Sequence, residues 1–241
     1  MTTLVVGASG ATGRLLVEQL LDQGEMVKII IRSVDYLPDA MINNNQLIIT
    51  ESNLLEMTDA ELKAHVQDCN AVISCLGHNL TFNGMFGHPR RLVKNSVMRL
   101  CKAIEATMPN TPVKFILMNT TGNQNLEAGE VVPMSQSIAV ALIRRLLPPH
   151  ADNEAAADVL QVNYGGNHSK VEWVVVRPDS LINDELVTDY EVFPSPIRNA
   201  IFDAGTTSRI NVANFMLRLI VDQALWKAWS GQMPVIYNTH G

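Results

Sequence analysis

The strongest constraint on this chain lies in its first fourteen residues, where Thr2-Thr3-Leu4-Val5-Val6 runs into Gly7-Ala8-Ser9-Gly10-Ala11-Thr12-Gly13-Arg14. A short apolar run is followed by glycines at every third position, then by Leu15-Leu16-Val17-Glu18-Gln19-Leu20-Leu21. This order predicts a buried strand, a tight turn and a helix. Each glycine answers a different demand. Gly7 would end the strand in a turn that a Cβ obstructs. Gly10 would let the main chain approach an anion such as a diphosphate. Gly13 would let the helix pack closely on the strand. The helix N-terminus then points free N–H groups and a positive dipole end at that anion, with Ser9, Ala11 and Thr12 completing the turn.

Composition narrows the partners. The chain has 241 residues, 47% of them hydrophobic, enough for one large domain with a sizeable core. Its formal net charge is −6, and it carries no basic block, which argues against nucleic acid or an anionic membrane as partner. Cys69, Cys75 and Cys101 show no CxxC spacing, which fits a reducing compartment and offers no metal site. A strand beginning at residue 3 leaves no room for a signal peptide, so the expected location is the cytoplasm. No apolar run approaches the roughly 20 residues that span a bilayer.

Along the chain, strand-like and helix-like patterns alternate. Gly24 reads as a helix C-cap. Met26–Ile31 is a β-branched run ending in Arg32-Ser33. In dinucleotide sites the residue at this strand end meets the adenosine ribose. An acid there accepts the 2′-OH and repels a 2′-phosphate, whereas Arg32 offers a fork of donors to that phosphate, favouring NADP over NAD. Asp35 lies nearby and pulls the other way. Residues 46–50 form a third strand, followed by Asn53-Leu54, and Thr58-Asp59-Ala60-Glu61 is a capping-box start. Residues 70–77 form a fourth strand ending at Leu76-Gly77, where Gly77 would let the backbone pass close to a cofactor. Cys75 reads as a small buried apolar residue.

Residues 82–88 read as an aromatic loop at the ligand-binding edge of the sheet, and residues 90–108 as a long helix with Leu92, Val93, Val97, Leu100, Cys101 and Ile104 on one face. Residues 113–118 form a fifth strand ending in Asn119-Thr120-Thr121-Gly122. Residues 133–147 read as a helix with Arg144-Arg145 at its end. Pro148-Pro149-His150-Ala151-Asp152-Asn153 reads as a rigid break, with Asp152 or Asn153 capping a helix to about Val162. A sixth strand over 171–176 ends in Arg177-Pro178-Asp179-Ser180. After Pro194, Pro196 and Gly205, Ser208-Arg209-Ile210-Asn211 leads into a helix, and residues 233–238 form a last strand. The expectation is an α/β fold: one doubly wound, parallel, Rossmann-like sheet in a single domain over 1–241.

Gly7-Ala8-Ser9-Gly10-Ala11-Thr12-Gly13, the strand ending in Arg32, and Val174-Val175-Val176-Arg177-Pro178 followed by Ser208–Val212 and the Phe215–Arg218 helix resemble the atypical, extended-like branch of the short-chain dehydrogenase/reductase superfamily. Within it the chain is most similar to the biliverdin-IX-beta reductase/flavin reductase and NmrA-like groups. The resemblance covers nearly the whole chain. It implies a C-terminal substrate lobe over roughly 179–241. It also implies a nicotinamide cofactor lying across Ser9, Thr12, Arg32, Asn53-Leu54, Leu76-Gly77 and Pro178, with Asn119 at the end of the fifth strand nearby. The place of Asn53 is usually an Asp beside the adenine, and Asn keeps a donor and an acceptor there.

The chain departs from that superfamily at the catalytic pair, a Tyr with a Lys four residues later. Four residues beyond Tyr36, Tyr164, Tyr190 and Tyr237 stand Ala40, His168, Pro194 and Gly241. The reductases also place a His just after the proline of the sixth strand, where this chain has Asp179 and Ser180. The remaining candidates are Thr120 or Thr121, to bond a substrate carbonyl or the nicotinamide amide, and His150 as proton donor. Tyr190 is a candidate for the substrate lobe. No nucleophile elbow is present, and His65, His78, His88 and His240 lack ligand spacing. Two function classes follow: an NADPH-dependent reductase of a small conjugated acceptor (flavin, quinone or tetrapyrrole-like), or a non-catalytic NADP(H) sensor of NmrA-like type. A nucleotide-sugar epimerase is disfavoured by the missing pair. An oligomer is compatible with either class, and the substrate-specifying loops are expected at 82–88 and 183–207.

Overall fold

The computed structural model describes residues 1–78, 89–125, 129–130, 148–165, 168–199 and 203–239. The expected aromatic loop at 82–88 and the expected helix at 133–147 lie outside them. The elements are β1 (Thr2–Val6), α1 (Ala11–Asp22), β2 (Met26–Ile31), α2 (Asp39–Ile42), β3 (Leu47–Glu51), α3 (Asp59–Val66), β4 (Ala71–Ser74), α4 (Leu92–Thr107), β5 (Val113–Met118), α5 (Pro148–Tyr164), β6 (Val171–Pro178), β7 (Ser180–Ile182), β8 (Tyr190–Phe193), β9 (Thr206–Ser208), α6 (Arg209–Val221), α7 (Gln223–Trp229) and β10 (Val235–Asn238).

Eight strands form one sheet in the order β3-β2-β1-β4-β5-β6-β10-β8. Every pairing in it is parallel except β10 with β8. The strands are apolar on both faces because helices cover both. Side chains alternate across the pleat. Leu4, Val6, Phe115, Leu117, Trp173 and Val175 meet α3, α4 and α5 on one face. Val5, Ile116, Val174 and Val176 meet α1, α6 and Trp226 on the other. The fold is a single α/β Rossmann-like domain.

Local signals mostly produce the elements they predict. Thr58 and Glu61 form the complete capping box of α3. Gly24, at φ +76°, closes α1 by donating to Leu21 O, while Glu25 N reaches Leu20 O. Ser208 caps α6 by accepting from Asn211 N. Within 179–241, α6 and β10 belong to the main layers, and the separate two-stranded sheet of β7 and β9 occupies the stretch before them.

Pro148–Asn153 is not a break: α5 begins at Pro148 and continues to Tyr164. Proline suits the first turn of a helix, whose N–H groups have no intrahelical acceptor. Asp152 therefore lies inside α5 and caps a different helix.

Candidate functional site

The sheet order reverses between β1 and β4, and a cleft of about 190 Å³ opens there at the C-terminal strand ends. Its walls are Val6, Gly7, Ser9 and Gly10 at the end of β1 and after it, Ile30 and Ile31 of β2 with Arg32 after it, Ser52–Leu54 after β3, and Cys75–Gly77 after β4, with Pro89 and Leu92. Thus Gly7, Ser9, Gly10, Arg32, Asn53, Leu54, Leu76 and Gly77, all singled out from sequence, share one cavity.

Gly7 and Gly13 meet the steric demands that their spacing implied. Gly7 has φ +78°, and a Cβ there would sit 2.6 Å from the Cys75 carbonyl. A Cβ on Gly13 would sit 2.2 Å from Gly7 O. Gly13 is therefore the packing glycine, placed behind the cleft with the buried Thr12, and Ala11 lies at the helix entry. Among the described residues a Cβ on Gly10 would meet Gly7 O, at 3.2 Å, and Gly10 itself lines the cleft. Gly10 is also the N-cap of α1, with no side-chain cap and no acid in the first turn. An uncapped helix end at a bare glycine turn fits a diphosphate.

Arg32 is exposed at the rim and has no ion pair or side-chain hydrogen bond among the described residues. Asp35 does not compete for it: its carboxylate accepts from Ser33 Oγ at 2.8 Å, while its N–H donates to that same oxygen. Glu51, on β3, accepts from Val34 N at 2.9 Å. Asn53 is tied into its own turn, accepting from Leu55 N at 3.2 Å and donating to Glu56 at 2.7 Å. Arg99 of α4 clamps that turn through Leu54 O at 2.9 Å and through Met57 O. Cys75 lines the wall as an inert thiol, pushed up to about 12 by burial.

At the ends of β5 and β6 the candidates are less open. Asn119 is buried, donating to Asn153 O at 2.8 Å and accepting from Thr120 N at 2.9 Å. Thr121 is buried, its N–H on Pro178 O and its side chain on Asp179. Pro178 is buried at the end of β6. Asp179 also accepts from Gly205 N at 2.9 Å, and burial raises its carboxyl above the ordinary value despite these bonds. His150 and Thr120 converge: a Cβ on Gly122 would lie 3.0 Å from His150 Nε2 and 3.8 Å from Thr120 Oγ1. His150 Nδ1 is 3.6 Å from Glu154 Oε1. Tyr190 faces α6 instead, donating to Asn214 at 2.9 Å and packing edge-on to Phe215.

A sequence profile described as NAD(P)H-binding matches residues 7–223. The chain belongs to this NAD(P)H-binding family. No curated protein sequence matches it. Among solved structures it is similar to a wide-type short-chain dehydrogenase/reductase from Veillonella parvula DSM 2008 in complex with NADP, at 15% identity and TM-score 0.72, over 99% of this chain and 95% of that one. It is similar to ChuY, an anaerobilin reductase from Escherichia coli O157:H7, at 15% identity and TM-score 0.70, over 100% and 98%. It is also similar to SP1627, a candidate NADH-flavin reductase from Streptococcus pneumoniae TIGR4, at 18% identity and TM-score 0.66, over 99% and 100%. These likenesses establish the fold.

In this NAD(P)H-binding chain the structure adds two residues that sequence reasoning passed over. His78, directly after Gly77, places Nε2 2.8 Å from Asp152 Oδ2, and both side chains are buried. Asp152 Oδ2 also accepts from Val93 N at 2.8 Å, and Oδ1 from Lys94 N at 3.1 Å. The signal was the start of α4 itself: Arg90-Arg91-Leu92 supplies no capping side chain, so a cap had to come from elsewhere. Among the described residues no cluster of three or more His, Cys, Asp or Glu could hold a metal ion, and no helix is long and apolar enough to cross a membrane.

Proposed function

We propose that the protein is an NADP(H)-dependent reductase that passes hydride to a small conjugated acceptor of flavin, quinone or tetrapyrrole type. The observation that carries this reading is Arg32, an exposed guanidinium just after β2 that is unpaired among the described residues, on the rim of a cleft floored by a bare glycine turn. Gly7–Gly10 and the N-terminus of α1 would hold the diphosphate. Arg32, with Ser33 beside it, would hold the 2′-phosphate by charge-assisted bonds. Asn53 and Leu54 would flank the adenine side, and Leu76 and Gly77 the opposite wall. The bound dihydronicotinamide supplies the hydride.

Thr120 and His150 would meet the acceptor, Thr120 as a hydroxyl donor and His150 as the source of the proton that accompanies hydride. Acceptors that stabilise the added electrons by conjugation need no Tyr–Lys pair to activate them, which suits a chain without one. The fold relatives named for anaerobilin and flavin reduction support that acceptor class. The proposed location is the cytoplasm. A non-catalytic NADP(H) sensor is the second reading, favoured by the missing Tyr–Lys pair.

The test is a fluorescence titration with NADPH and NADH, followed by an acceptor screen with the tighter binder. Wild type should prefer NADPH, and Arg32→Ala should weaken NADPH by about tenfold or more, as expected for a lost charge-assisted bond, with little effect on NADH. Equal affinities in wild type would sink the NADP assignment. Tight binding without turnover on any acceptor would favour the sensor.

A further inference from the structure

We propose that Asp152 is the positioning residue of the cofactor cleft, with His78 as its partner. This deepens the cofactor reading above and rests on it. Helix α4 starts at Leu92 without a local cap, and its N-cap residue, Arg91, makes no side-chain capping bond. The two N–H groups that a capping side chain would take, those of Val93 and Lys94, go instead to Asp152, 59 and 58 residues away in sequence. The oxygen that accepts from Val93 also accepts from His78 Nε2. The two side chains are 5% and 1% exposed, so solvent does not compete for these bonds.

What these bonds join gives the role. His78 follows Leu76 and Gly77, which form one part of the cleft wall. Val93 follows Leu92, which forms another part with Pro89. One carboxylate thus fixes the distance between the end of β4 and the start of α4. The same turn of α5 reaches the end of β5, where Asn153 O accepts from Asn119 and His150 sits against Gly122. The first two turns of α5 therefore set three strand and helix ends beside the cleft, although Asp152 does not line it.

The chemistry requires a carboxylate. Asp152 accepts from two helix N–H groups and one imidazole, and the helix dipole favours a negative charge there. Asparagine has the same shape, yet it turns one acceptor into an NH₂ that faces a donor. The α4 N-terminus is thereby occupied, leaving the α1 N-terminus as the free anion site of the cleft.

The experiment measures NADPH and NADH affinities by fluorescence titration for wild type, Asp152→Asn, His78→Leu and His78→Gln, with a thermal unfolding curve for each. Asp152→Asn and His78→Leu should weaken both dinucleotides by the same factor, about tenfold. The NADPH/NADH ratio should stay at its wild-type value, unlike that of Arg32→Ala. His78→Gln, which keeps a donor near the position of Nε2, should restore most of the affinity. If Asp152→Asn fails to fold, the His78 pair decides the question. Wild-type affinity in a folded His78→Leu or Asp152→Asn protein overturns the positioning role while leaving the cofactor reading standing. A wild-type protein that binds neither dinucleotide overturns the cofactor reading itself.

Discussion

Replacing Gly13 and Gly10 by alanine, one at a time, separates packing from ligand approach in the phosphate turn. At Gly13 the new Cβ would lie 2.2 Å from Gly7 O and 2.9 Å from Gly7 C. Those are backbone atoms, so no rotamer change relieves the clash, and α1 must shift away from β1. Overpacking of this kind costs about 2–3 kcal/mol. For a chain of this size that is a fall in Tm of roughly 4–12 °C. At Gly10 the close atom among the described residues is Gly7 O at 3.2 Å, which must give by a few tenths of an ångström, and the backbone is extended at φ −77° and ψ 160°, which alanine adopts freely. Gly10→Ala should lower Tm by clearly less than Gly13→Ala does, since its contact is at 3.2 Å rather than 2.2 Å. Its methyl group would stand where the diphosphate approaches, weakening NADPH by about tenfold or more, equivalent to about 1.4 kcal/mol. Differential scanning calorimetry and a fluorescence titration on both variants decide the matter. A Gly13→Ala protein with unchanged Tm, or a Gly10→Ala protein with unchanged affinity, would refute this division of labour.

Two further outcomes follow from buried charges outside the turn. Arg177 is fully buried and held bidentate by Glu130, at 2.6 and 3.0 Å, with further bonds to Met233 O and Asn123 O. Glu130→Ala would strand that guanidinium and cost about 3–5 kcal/mol, a fall in Tm of roughly 6–20 °C. The double replacement with Arg177→Met should recover much of the loss, and a drop of less than about 2 °C for Glu130→Ala would contradict the assignment. Asp179 has a carboxyl raised by burial, so in the folded protein it takes up its proton at higher pH than in the unfolded chain. It therefore favours folding at low pH, and that contribution is lost as pH rises above the ordinary carboxyl value of 3.8 through the raised folded value. Unfolding of wild type and Asp179→Asn across this window should show a falling stability component in wild type alone, and parallel curves would argue against it.

The parts of the fold that were legible in the sequence are those whose physics is local. A glycine at φ +78°, a Thr–Glu capping box and a β-branched run each act through neighbours within a few residues, so the type and spacing of side chains carry the information. The same holds for the candidate cleft: four strand ends supply its wall, and the sequence marks each within three residues of its strand end. The short strands β7, β8 and β9 were not legible. They are three or four residues long and exist because β10 and each other offer them partners, which no local pattern announces.

Asp152 answers to a helix far away in sequence, which no local pattern announces. An Asp three residues after a Pro-Pro pair satisfies every local rule for an N-cap, and the proline pair satisfies every local rule for a break. Both readings treat helix initiation as a contract between neighbours in sequence. In the folded chain the prolines occupy the first turn of α5, where a missing N–H costs nothing, and the carboxylate is released to cap α4 across 59 residues. The complementary sign was present at the other end of the bond. Arg90-Arg91-Leu92 opens a sixteen-residue amphipathic helix with no Ser, Thr, Asp or Asn to receive its first N–H groups. A helix start that lacks a cap, paired with a surplus acid elsewhere at a predicted strand-end layer, predicts a long-range bond between them. Such bonds matter most here because the layer they tie together is the one that carries the candidate cleft.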